Sequence, residues 1–136
     1  MNNIYLTINY DLIERQKHIA PLIEYVDSIV DDNKNNAKVL YDAHLVILQK
    51  SYIEYVNAKT PYDKNYALAE NVLAAYKIDT LEMFIEDQID KTLAKNAWLE
   101  LCDLDIELYT HIICHDFDKA NAILQTLIAL LRDDIQ

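Results

Sequence analysis

Glu107, His111 and His115 follow one another at i, i+4, a spacing that stacks metal-ligating side chains along one face of a helix. A carboxylate-bridged bundle site needs more than this: a Glu-x-x-His motif on each of two helices, with further Glu from others. Here the Glu107 to His111 step is one residue too long and has no second copy. Histidines are also favoured in a last helical turn simply because they face the negative end of the helix dipole. The sequence therefore implies neither a metal nor a cofactor.

His44 and Asp105 form a second constellation, because each falls near the middle of an apolar helical face. An unpaired carboxylate in that setting is costly, so the expectation is a buried pair in which Asp105 and His44 satisfy one another and fix helix register. An acid and a base with no nucleophile and no oxyanion donors do not make a catalytic site. No catalytic residue is assigned, and the chain does not read as an enzyme.

Composition narrows the choice further. There is no glycine among the 136 residues, against an average usage of about 7%. P-loops and dinucleotide fingerprints, which need unhindered backbone beside phosphate, are excluded. Ser28 and Ser51 are the only serines and neither sits in a glycine turn, which excludes a nucleophile elbow.

The elements that must position these residues are helices. From Leu12 the apolar residues Ile19, Leu22, Ile23, Val26, Ile29 and Val30 recur at three and four, with Pro21 predicting a kink or split. A second helix is predicted from Ala37 to Asn57, with Leu40, Tyr41, His44, Leu45, Leu48, Tyr52 and Tyr55 inward. Thr60-Pro61 starts a third, and Asp79 with Glu82 reads as the capping box of a fourth. A fifth runs from Asn96 to His115, and Asp116 opens a sixth. An aromatic-Asp-Lys echo at Tyr62 and Phe117 has a 55-residue offset and no third copy, so it reads as shared helix-start chemistry. The expected fold is all-α: one domain over residues 1–136, a compact antiparallel bundle of five to six helices.

The net charge of −11 and pI near 4.6 argue against binding nucleic-acid phosphates or anionic membranes, and point to a basic protein partner. The first ten residues lack the pattern of a signal peptide, and no run approaches a membrane span. Cys102 and Cys114 are twelve residues apart in one helical pattern, about 18 Å along the axis, which is too far to bridge. With free thiols and no signal-peptide pattern in those ten residues, the protein is expected to be cytoplasmic.

Residues 79–118 hold eleven acids and only Lys91 and Lys95, net −9, so most of the excess charge lies there. Glu86, Asp87 and Asp90 share an outward arc on the predicted fourth helix. Glu100, Asp103 and Glu107 do so on the fifth, and Asp116 and Asp118 lie in the turn beyond. These eight residues are expected to present one negative field, since a surface built only for solubility mixes signs. The preferred expectation is an acidic inhibitor, an immunity protein that neutralises a basic, nuclease-like bacterial toxin by stoichiometric binding. A helical adaptor or secretion-type chaperone binding an apolar segment is the alternative, as is a phage-type mimic of DNA.

Overall fold

Apolar residues at helical spacing do build helices, and among the described residues there is no strand. The computed structural model describes residues 24–135; the Leu12 start, the Pro21 kink and everything else before residue 24 lie outside them. Residues 24–29 are the helical segment α1, followed by α2 (Asn35–Asn57), α3 (Pro61–Ile85), α4 (Lys91–Ile113) and α5 (Phe117–Ile135). Connections of three to five residues between α2, α3, α4 and α5 force antiparallel neighbours. The chain is an all-α helical bundle.

α3 touches α2, α4 and α5 and so organises the packing. One core cluster joins Val72, Leu73 and Tyr76 of α3 to Leu101, Leu104, Leu108 and Ile112 of α4 and to Leu124 and Leu127 of α5. Tyr76 is fully buried, and its hydroxyl donates to the Leu127 carbonyl at 2.5 Å. A second cluster sets Val26, Ile29 and Val30 against Leu81, Phe84, Trp98 and Leu99. Between Ala97 and Leu104 every residue of α4 is buried. This is the central helix that its wide apolar arc predicts.

The boundary expected at Asp79 is not there. α3 runs unbroken through Asp79 and Glu82 to Ile85, and the break falls instead at residues 86–90. Asp87 takes a left-handed φ of 60°. The Gln88 and Ile89 N–H groups then bond back to the Met83 carbonyl. Asp90 starts α4 by accepting from the Leu93 N–H at 2.8 Å. Lys34 and His115 are likewise left-handed, at 60° and 59°. With no glycine to mark a helix end, three ordinary residues take positions that glycine usually fills. The Thr60-Pro61 start is as expected, with the Thr60 hydroxyl accepting from the Asp63 N–H at 3.1 Å.

Because Asp90 supplies the side-chain cap of α4, Asp90→Ala should lower stability by about 1 kcal/mol. A thermal melt showing no fall in midpoint would contradict that assignment.

Candidate functional site

Where α2, α3 and α4 meet, His44, Glu70, Lys77, Asp105 and Tyr109 converge on a crevice of about 120 Å³. His44 and Asp105 do share this site, but not as a mutual pair. The His44 Nδ1–H donates to the Leu40 carbonyl at 2.8 Å, one turn back on its own helix. Burial lowers its pKa below 6.5, so the ring is neutral and Nε2 is left as an acceptor. Asp105 is held by Lys77, whose Nζ lies 2.7 Å from Oδ2. The Lys77 ammonium also lies 5.9 Å from the centre of the Trp98 ring, against which His44 packs edge-on. Burial pushes the Asp105 carboxyl above its ordinary range, and the Lys77 ammonium opposes that shift.

The Lys77 ammonium satisfies Asp105 because it is an always-available donor on the facing helix, whereas the His44 donor is already committed to its own backbone. Lys77 is the residue that the sequence left unnoticed, although a lone lysine between Tyr76 and Leu81 on an apolar helix was its signal. The crevice is small beside ligand pockets, which run to roughly 300–1,000 Å³. Its Lys77–Asp105 ion pair joins α3 to α4, and His44 of α2 packs on the Trp98 ring beside that pair.

The eight carboxylates expected on one face are not on one face. Glu100 and Asp103 are buried, at 8% and 3% exposure, because α4 is covered all round at this level. Burial, and then the neighbouring Asp103, pushes the Glu100 carboxyl up to about 7. Its Oε2 has no hydrogen-bond partner among the described residues. Glu86, Asp87 and Asp90 are exposed at the α3–α4 turn, while Asp116, half-buried, and Asp118, exposed, lie at the α4–α5 turn. These turns are at opposite ends of a 23-residue helix, about 34 Å apart, with half-buried Glu107 toward the second.

Lysines also sit at the first cluster, one of them from far along the chain. Lys34 pairs with Asp87, and Lys91 pairs with Asp32. At the second, Lys119 lies 3.5 Å from Asp116. A sequence window could not show Lys34 folding back across 53 positions.

His115 departs from the helical face it was expected to share with Glu107 and His111. α4 ends at Ile113, and His115 turns away with positive φ to pack between Tyr62 and Phe117, at 5.8 and 5.3 Å. The two aromatic-Asp-Lys helix starts thus meet through one imidazole. Among the described residues no group of three His, Cys, Asp or Glu is placed to hold a metal ion. Cys102 is buried and Cys114 exposed, and the two are unbridged. No described helix is long and apolar enough to cross a membrane.

The surface that sequence reasoning missed is on α2. Val39, Val46 and Ile53 are 68%, 63% and 59% exposed and stand seven residues apart, within about 40° on the helix circumference. They look away from α3, against which α2 chiefly packs. Tyr52, expected inward, is 62% exposed and with Val56 at 61% widens the patch on one flank. The seven-residue spacing was visible in the sequence. It was masked by the richer inward set beside it, since α2 is nearly as apolar on its outer line as on its inner one.

Comparison with protein-family models, with curated proteins and with solved structures finds no significant match to this chain.

Proposed function

We propose that the protein is a non-catalytic, protein-binding helical module of the cytoplasm that docks through the outward line of α2. The observation that carries this reading is the row Val39, Val46 and Ile53, three large apolar side chains each more than half exposed on one line. Isolated exposed apolar residues are ordinary, but three that recur every second turn along one line have the spacing by which a helix anchors to a partner. Burying such a row contributes roughly 25 cal/mol per Å² removed from water. This is the adaptor alternative, now with a surface.

The inhibitor of a basic toxin is the second reading, and one observation favours it. Asp31, Asp32, Asp87 and Asp90 surround a cavity of about 290 Å³ at the α3–α4 turn, into which a cationic side chain would fit. Lys34 and Lys91 line the same cavity and offset part of that charge. The burial of Glu100 and Asp103 removes the carboxylates that were to extend the field along α4.

Gel filtration of native extract separates the two readings. Val46→Glu should shift the chain from a larger complex to its own 15.9 kDa, and high salt should leave the wild-type complex intact. Glu86→Lys with Asp87→Lys, which spares the Asp90 cap, should leave the complex in place. Loss of the complex in that double variant or in high salt, but not in Val46→Glu, would favour the cationic-partner reading.

A further inference from the structure

The α2 row reads almost the same from either end. Taking Val46 as the centre, Val39 and Ile53 lie seven residues to either side and both are β-branched. Four residues to either side are Asp42 and Lys50, and eight residues to either side are Lys38 and Glu54. At each of these distances the two partners carry opposite charge, and all four charged residues are exposed. Lys50 lies 3.9 Å from Glu54 of its own helix, acts on the Glu70 carboxyl of α3, and is 76% exposed.

Resting on the reading of this line as a docking surface, we propose that its partner is a second copy of this chain, with the two α2 helices antiparallel about a two-fold axis at Val46. That arrangement sets Val46 on Val46 and Val39 beside Ile53 of the other copy. It brings Asp42 level with Lys50 across the seam on both sides, with Lys38 and Glu54 level with one another on the outer flanks. A two-fold contact requires a self-complementary patch, and this one is complementary in both apolar contact and charge. A parallel pairing would instead put Asp42 level with Asp42 and Lys50 level with Lys50, which is repulsive. A cationic partner has no use for the lysines, and a purely apolar one has no use for the alternation of sign.

The seam is one helix long, at the small end of protein interfaces, so a reversible dimer is expected. Sedimentation equilibrium of the purified full chain, from about 5 to 500 µM, reads this directly. Val46→Glu should be monomeric throughout. Asp42→Lys should weaken association about tenfold, because it places two like charges across each side of the seam, and adding Lys50→Asp should restore it. All are exposed positions, so unchanged helicity by circular dichroism shows that each variant is folded.

Register is read by disulfide trapping with exposed Cys114 changed to serine. Val46→Cys should cross-link to itself, and Val39→Cys should cross-link to Ile53→Cys but not to itself. A purified chain that stays monomeric over the whole range overturns the dimer. So does self-linking of Val39→Cys. If that same chain still runs as a larger Val46-dependent complex in extract, the docking reading survives with a different partner. If neither the purified chain nor the extract shows a complex that depends on Val46, both fail.

Discussion

Lys77→Met should destabilise the fold by about 2–4 kcal/mol. Removing one partner of a fully buried ion pair costs roughly 3–5 kcal/mol because the other charge is left without compensation. The Lys77 and Asp105 side chains are 16% and 26% exposed, so solvent lowers the figure somewhat. The sign of the pH dependence follows. Asp105 already has a raised pKa from burial, and Lys77 is the first group opposing that shift. Without the lysine the folded protein holds the proton more strongly than the unfolded chain, whose carboxyl titrates near 3.8. The loss should therefore be small in acid and grow as pH rises. Lys77→Met combined with Asp105→Leu should recover most of the stability, since two apolar side chains need no charge compensation. Urea unfolding at pH 5 and pH 8 measures both effects. Equal stability of the single and double variants would show that the pair does not hold α3 to α4.

Glu100→Gln should stabilise the protein by about 1–2 kcal/mol at pH 8 and by little at pH 5. The folded-state pKa of Glu100 is raised from 4.5 to about 7 by burial and by Asp103. A raised value contributes stability below the unfolded pKa and loses it as pH climbs through the folded one. The wild-type protein thus carries an ionised, buried carboxylate above pH 7. The glutamine amide avoids the charge but still has to be desolvated, so it gains less than the full shift at 1.36 kcal/mol per unit. Unfolding midpoints measured from pH 5 to pH 8 should fall for wild type and stay nearly level for the variant. Parallel curves would place Glu100 in water.

Both residues show how far the sequence could be read. Helical periodicity identified α2, the Pro61 start of α3 and the central role of α4, because each depends on neighbours three and four residues away. It placed Asp79 as a helix start because Asp and Glu at that spacing resemble a cap. The true stop at Asp87 lacked its usual glycine. It found that His44 and Asp105 belong to one polar site, yet the partner Lys77 comes from a third helix, 28 residues from Asp105. Glu100 and Asp103 looked outward because the wheel of α4 leaves a narrow polar arc. Whether such an arc meets water or another part of the protein depends on tertiary packing, which no single-helix wheel contains. The α2 row was legible and overlooked, since exposure of an apolar residue is a property of the assembled fold.

The central claim is that the outward line of α2 is where this protein meets another. A photo-reactive benzophenone side chain at position 46, with position 122 on the exposed face of α5 as the comparison, tests it within the protein's own cells. The account predicts covalent adducts from position 46 and none from position 122. Twice the chain mass would mark a second copy, and any other mass a different partner. Adducts absent at position 46, or equal at both positions, would contradict it.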